Sequence, residues 1–597
     1  MKKSLNLKIL FLLIRILLVL ICLSPFIFLA ARFFVISLSR MGVFYELEFQ
    51  EGDMALACHR YLKGLPLYPD PEQGFVHMTY PPVMDVVTSF AMVILGSKEI
   101  WVGRLVSFLS TMGTCLIIFL WVKRETGSYS GAFFAPLIYL SYYPMSGYWY
   151  DIFRPDSVFI FSVMLGSYLL TWKFEGRKGI MYGVAGALVF SVAAYAKQSA
   201  VLFGFTAYVI HVILYRNKVP IITAAVGLFS SLLILGYLYL TNPFFHTQCI
   251  RILLEHGKNL ESWHRRLDNE LVQFTLIPFL ILLIWHVTSI FEKKPRTLIH
   301  LALFATSVYA GLKGLYKMGG YKNNYVPIAA FLSLGMGWFW GYTFQTGVKR
   351  GIIRFVSLFI MPVILAIGLW YSSRIPIHPL RMPLIIFSIF AVAWELRIIL
   401  NPENMIGKYI HTALLGIVIF IWGAFLCHQF SALSPVKENG KWTLKTRYPI
   451  EMRVPTPEIV KYSWKVMERI KSLPGTVYMI HHNYYAWLIG KQVYYPVDAV
   501  RDLTIGRGSG MVPRNLLKAL DERRFDFIVI NDRIERDWLD NPIRNAIRNN
   551  YIEIENLEKF GWKLLRPVDA TGMKPRFVWV RKDWKPPEEK SLEPIKQ

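Results

Sequence analysis

Apolar residues in this chain gather in runs of about 20, the length that spans a bilayer, and short polar turns separate the runs. Read in order, they predict thirteen spans: 8–37, 98–122, 130–148, 155–173, 179–196, 198–215, 219–240, 270–290, 297–315, 323–344, 352–371, 380–399 and 406–428. The run after Pro81-Pro82, over 82–96, is shorter and carries Asp85, so it is expected to lie in the interface and not to cross. Lys2 and Lys3 open the chain like a signal peptide, but the apolar run continues through Phe34 without a small-residue cleavage site. A retained first span is expected.

The turns fix the direction of each crossing. Lys123-Arg124, Lys173 with Arg177-Lys178, Arg216 with Lys218, Lys293-Lys294, Lys349-Arg350 and Arg397 all fall at alternate ends of the runs, which makes those ends cytoplasmic. The loop after the first span is then outside, and an odd number of spans puts the tail there too. From about 430 the pattern changes to short alternating strands and amphipathic helices. Strands are expected at Val477–His481, Gln492–Tyr495, Phe525–Ile530 and Phe577–Val580, and helices at Pro457–Lys471 and Pro513–Arg523. The expected fold is a mainly α polytopic membrane domain over 1–429, with its outer loop at 38–97, followed by a soluble α/β domain over 430–597.

Composition agrees: 54% of the 597 residues are hydrophobic and the mean hydropathy is +0.38. The net charge of +26 does not mark a nucleic-acid binder, because much of the excess outside the tail sits in the short cytoplasmic turns. Of five cysteines, Cys58 and Cys249 fall in polar loops and could pair in an oxidising compartment; no CxxC or Cys/His cluster suggests zinc. The histidines of the loop around 242–270 lack metal-ligand spacing, and His481-His482 in the tail read as structural or surface residues. The stretch Ile505–Met511, IGRGSGM, follows no strand and reads as a surface loop.

The chemistry is expected in the outer loops. Glu51 and Asp53 follow the first span directly, in YELEFQEGD. Later loops add Asp151, Arg154, Asp156, Lys197, Lys317 and Lys322. Carboxylates and cations gathered at one membrane face suit an enzyme acting on a lipid phosphate. An attacking hydroxyl needs a carboxylate to take its proton, and the departing phosphate needs cations or a metal. Plainer readings stand beside these: Glu51 and Asp53 as solvation of a helix end, Asp156 as a first-turn acid after Pro155, and the lysines as flanking residues.

The ordered set Glu51-Gly52, Tyr61-Leu62-Lys63-Gly64, Leu65-Pro66-Leu67-Tyr68, Tyr80-Pro81-Pro82, Gly103-Arg104-Leu105 with Ser107, Arg154-Pro155-Asp156, Lys197-Gln198 and Gly319 to Asn324-Tyr325 resembles the C-type (GT-C) membrane glycosyltransferases. Within them it is similar to the branch of protein O-mannosyltransferases and the lipid A aminoarabinose transferase, over about residues 8–345. The resemblance implies an inverting transfer of a sugar from a polyprenyl-phosphate carrier to a glycolipid, polysaccharide or protein outside a bacterial inner or plasma membrane. It implies Glu51 or Asp53 as the base, Gln50 standing where the family often has aspartate. Arg154, Asp156, Lys197, Lys317 and Lys322 are implied in donor or phosphate contact, and Asp156 as the candidate ligand of a divalent ion, Mg or Mn. Tyr68, His77 and Tyr80 are assigned to the acceptor or to shaping the loop. A transporter or flippase of lipid-linked sugars is the alternative; it would show internal repeats and ionisable groups deep within spans, whereas here the charges gather at the ends.

Overall fold

The computed structural model describes residues 2–345 and 417–585, apart from 173–174, 216, 256, 292–294, 318, 428, 431–432, 439–440, 447–449, 497–498, 502–511, 538 and 570–571. The helices follow the apolar runs: α1 (Lys2–Arg40), α4 (Ile100–Thr126), α5 (Tyr129–Ser141), α6 (Asp156–Leu170), α7 (Gly176–Ala194), α8 (Ala200–Leu214) and α9 (Lys218–Thr241). Then come the short α10 (Ile252–Glu255) and α11 (Leu260–Arg266), followed by α12 (Gln273–Phe291), α13 (Pro295–Tyr316), α14 (Val326–Gln345) and α15 (Ile417–Cys427). The expected spans 352–371 and 380–399, and most of 406–428, lie outside the described residues. Among the described residues four helices are long and apolar enough to cross a membrane: Val19–Arg40, Ile100–Thr126, Lys218–Thr241 and Arg296–Tyr316. Others are shorter than the sequence suggests.

The clearest shortening has a cause. The run expected at 130–148 leaves the helix at Ser141, because Tyr143 precedes Pro144, and a residue before proline is pushed out of the α region. The chain then folds back into the bundle, and residues 145–155 are buried. This turns an expected stretch of span into the segment that delivers Asp151 and Arg154.

Two helices sit across the end of the bundle. α2 (Glu51–Leu62) is buried along most of its length. α3 (Val83–Leu95) buries Met84, Asp85, Thr88, Ser89 and Met92, and leaves Val87, Phe90, Val93 and Ile94 uncovered by protein. One apolar face thus stays open, as an interfacial helix requires.

Beyond α15 lie a two-stranded hairpin, β1 (Leu433–Glu438) with β2 (Lys441–Thr446), and a four-stranded sheet. The sheet has the order β3-β4-β6-β5, from β3 (Val477–Met479), β4 (Phe527–Ile530), β5 (Tyr551–Asn556) and β6 (Phe577–Arg581). Strands β3 and β4 run parallel and the other pairs antiparallel. Around them pack α16 (Pro457–Lys471), α17 (Asn483–Leu488), α18 (Arg514–Asp521) and α19 (Asn541–Asn550). Gln492–Tyr495, expected as a strand, pairs with none; the Tyr495 carbonyl instead accepts from the Tyr478 hydroxyl and the Asn483 amide.

Candidate active site

Glu51, the first residue of α2, is fully buried. Its Oε1 accepts from Arg104 Nε at 2.9 Å and from the Phe153 amide at 3.0 Å. Its Oε2 accepts from Arg104 Nη2 at 2.6 Å and the Leu47 amide at 2.7 Å. Gly103 makes this possible: a Cβ there would lie 2.1 Å from the Phe153 ring, so only glycine lets that ring, and with it the Phe153 amide, approach. Burial alone would raise the Glu51 carboxyl. The charge and hydrogen bonds of Arg104, with the two amides, outweigh it and hold the group below its ordinary value. All four acceptor positions are taken, so Glu51 is an anchor. Asp53 is buried two residues on.

The open space lies beside this node. A cavity of about 1610 Å³ is lined at one end by Glu48, Gln50, Tyr80, Trp149, Arg154 and Lys197. It extends along Phe190 of α7, Tyr195 just after it, and Phe205, Tyr208, Val209, Ile213 and Leu228 of α8 and α9 as an apolar arm. Among the described residues Glu48 is the one carboxylate lining it. Burial pushes Glu48 up to about 8, aided by Glu51 and Glu46, while Arg154 and the Gln50 amide pull the other way. Arg154 lies 3.4 Å from Glu48 Oε2, donates to Gln50 Oε1 at 2.5 Å and to the Tyr80 hydroxyl at 3.0 Å, and its guanidinium sits over the Tyr80 ring. Trp149 and Tyr321, both in the wall, meet at 5.0 Å between ring centroids.

The cations follow the expected order only in part. Lys197, at the junction of α7 and α8, lines the cavity and holds Asp156 Oδ1 at 2.6 Å, which Asn323 Nδ2 also reaches at 3.1 Å. Asp156 opens α6 after Pro155 and stands one bond behind the wall. Lys317 lines the wall, donates to the Leu253 carbonyl, and is lowered by burial and by its neighbour Lys313. Lys322 pairs with Glu270 at 2.9 Å. Tyr68 donates to the Tyr80 carbonyl at 2.6 Å, and the His77 ring contacts Tyr68 and bonds Asp85, so both brace Tyr80 from behind. The structure therefore brings Tyr80, Arg154, Lys197 and Lys317 to one cavity. Glu51, Asp53, Tyr68, His77, Asp156 and Lys322 are not among its lining residues.

Sequence reasoning passed over Glu48, Trp149 and Tyr321, and met Gln50 only as a departure from the family's aspartate. A signal for Glu48 existed: Tyr45 to Gln50 alternates with period two, which puts Glu46 and Glu48 on the same side of an extended segment, away from Leu47. The possible Cys58–Cys249 pair is not formed. Both thiols are free and buried, Cys58 donating to the Asp85 carbonyl and Cys249 to the Tyr80 carbonyl.

A divalent ion fits these residues poorly. Asp156 Oδ1 already faces an ammonium, Gln50 offers a neutral amide in place of a carboxylate, and among the described residues no three His, Cys, Asp or Glu side chains are grouped to hold a metal.

Residues 79–239 match the family of dolichyl-phosphate-mannose-protein mannosyltransferases. The structure superposes on ArnT from Cupriavidus metallidurans bound to undecaprenyl phosphate with a TM-score of 0.52 and 12% identity, covering 94% of this chain and 98% of that one. Against ArnT of the same organism in the apo state the TM-score is 0.50 at 11% identity, covering 97% and 98%. The fold is that of the C-type membrane glycosyltransferases. No curated protein matches the chain in sequence. With this fold and its long apolar helices, the chain is a multi-pass membrane protein. In the C-type fold seen here, the segment folded back between α5 and α6 and the linker between α1 and α2 meet at one end of the bundle, where Arg154 joins Glu48 and Gln50.

Proposed function

We propose that the protein is an inverting glycosyltransferase that moves a sugar from a polyprenyl-phosphate carrier to a hydroxyl of a glycolipid, polysaccharide or protein. It works on the extracytoplasmic side of a bacterial inner or plasma membrane, within a bundle of thirteen spans. One observation carries this reading: a single cavity joins an apolar arm between helices to a polar end holding one carboxylate and several cations. A polyprenyl chain suits the arm, and its phosphate then reaches Lys197 and Arg154. The solved relative bound to undecaprenyl phosphate supports the same donor class.

The chemistry follows from the end of the cavity. The acceptor hydroxyl attacks the anomeric carbon as the sugar–phosphate bond breaks, so the carrier leaves as a phosphate monoester with one more negative charge. Lys197 and Arg154 stabilise that charge as it develops. The hydroxyl proton passes to Glu48, whose elevated affinity for protons suits a base working near neutral pH. Glu48 takes this role in place of Glu51 or Asp53 because it faces the cavity while the acceptor positions of Glu51 are filled.

Membranes carrying the protein, incubated with a panel of labelled polyprenyl-phosphate sugars, test the reading directly. One of them should yield a labelled acceptor, and Glu48→Gln should lower the rate by about 10²- to 10⁴-fold, the usual contribution of a general base. Labelled sugar crossing proteoliposomes without covalent transfer would instead mark a transporter.

A further inference from the structure

The base proposed above sits on a loop, and a carboxylate works as a base only if its backbone is fixed to within a fraction of an ångström. Glu48 lies in the irregular linker between α1 and α2. From the membrane domain, Glu51 accepts from the Leu47 amide and, at 3.4 Å, from the Glu48 amide, its own amide donates to the Glu48 carbonyl, and Arg104 donates to the Val43 and Tyr45 carbonyls. The two residues just before Glu48 are held from the C-terminal domain as well.

The contacts are specific. The Leu47 carbonyl accepts from the amides of both Val568 and Asp569, at 3.1 and 3.0 Å. The Glu46 amide donates to the Tyr485 hydroxyl at 3.1 Å. The Glu46 carboxylate bonds His482 Nδ1 through Oε2, and through Oε1 accepts from the Gly52 amide at 3.2 Å. No side chain fits at Gly52, where a Cβ would lie 2.1 Å from Glu46 Oε1 and 2.5 Å from Tyr484 Cβ. Asp569 carries the same tie to the end of α1: its Oδ2 holds Arg40 at 2.5 Å, and Arg40 in turn holds Asp151 at 2.6 Å, three residues before Arg154. Glu46, Asp569, His482 and Arg40 are all buried. Burying so many charged groups between two domains is costly unless they are paired, and here they meet across the junction, Glu46 with His482 and Asp569 with Arg40.

We infer that the C-terminal domain sets the position of the catalytic carboxylate: His482, Tyr485 and Asp569 are positioning residues that act through Glu46 and Leu47 on Glu48. This rests on the reading of Glu48 as the base. It gives the domain a part in the transfer step itself, apart from any hold on the acceptor.

The test uses the full-length protein in detergent or nanodiscs, with the donor that the labelled panel identifies. His482→Gln and Asp569→Asn keep shape while loosening the tie, and Tyr485→Phe removes a single hydroxyl, so at least one variant retains the fold. Each is expected to lower kcat by about tenfold to a hundredfold, the effect of a small misplacement of a reacting group. The KM for the donor should stay within about twofold, since the cations and the apolar arm are untouched. Combined with Glu48→Gln in single-turnover assays, His482→Gln should add less than about twofold, because no base remains to be positioned. Folded His482→Gln and Tyr485→Phe proteins with the parent's kcat would overturn the inference, as would full additivity with Glu48→Gln. Undiminished turnover in Glu48→Gln alone would instead overturn the assignment of the base.

Discussion

Glu48 and Glu51 stand three residues apart in one linker, and their surroundings push them in opposite directions. Glu51 makes a buried bidentate pair, and breaking such a pair by removing one partner costs about 3–5 kcal/mol. Glu51→Gln is therefore expected to lower the thermal midpoint strongly, and its effect on turnover to follow the loss of folded protein. Glu48 should behave in the opposite way. Its folded form keeps a proton up to about pH 8 that an unfolded carboxyl, at about 4.5, has already released. Between those values the folded state binds more protons than the unfolded one, so stability from this group falls as pH rises through the window. Glu48→Gln is expected to melt higher than the parent at pH 8 to 9 while losing activity, a contrast that thermal scans of both variants would read. In the parent, kcat/KM should climb with pH up to a limb near 8, and the limb should vanish in Glu48→Gln. The sequence pointed to Glu51 and Asp53, three and five residues past the base proposed here. Which of several acids in YELEFQEGD meets the cavity depends on where Arg104 and Arg154 fall, 53 residues beyond Glu51 and 104 beyond Gln50.

At the level of elements, hydrophobic periodicity located most of the long helices among the described residues, because a bilayer-facing helix cannot hide its composition. What it missed came from local rules overridden by context. The fold-back after Ser141 hangs on a Tyr-Pro step inside an apolar run, and β5 begins directly after the last turn of α19, where helix and strand patterns merge. The arm between α7, α8 and α9 could not be read at all, since each wall residue looks like ordinary span. It yields its own prediction. Gly204 lines the arm, and a Cβ there would meet Phe190 at an ordinary 3.6 Å, so small side chains fit and large ones must occupy the arm. Gly204→Phe is expected to raise KM at least tenfold for a long-chain polyprenyl donor and to leave a donor with one or two isoprene units unaffected. Equal effects on both donors would place the lipid chain elsewhere.

For the whole molecule, the join between its two parts was invisible in the sequence: Glu46 and His482 are 436 residues apart, and each alone looks like a surface group. The domains also touch at a second, separate place. Glu72, in the loop between α2 and α3, accepts from the backbone amides of Arg514 and Asn515 at 2.8 and 2.9 Å, capping the N-terminus of α18 from outside its own domain. Asn515 returns a bond to the Glu72 carbonyl at 3.0 Å, and the Tyr495 hydroxyl reaches the same carbonyl. A carboxylate on a helix N-terminus gains from both the free amides and the macrodipole, and losing such a cap costs about 0.5–2 kcal/mol. These contacts are exposed, unlike the buried tie at Glu46, so solvent replaces them at little cost beyond that. Glu72→Ala is thus expected to speed amide exchange in 514–521 by about two- to thirtyfold, the same free energy read as a rate. Exchange at 46–48 and kcat should stay at the parent's values, because the Leu47 and Glu46 bonds remain. Slower turnover with unchanged exchange at 46–48 would show that the rim at Glu72 serves the transfer by a route of its own.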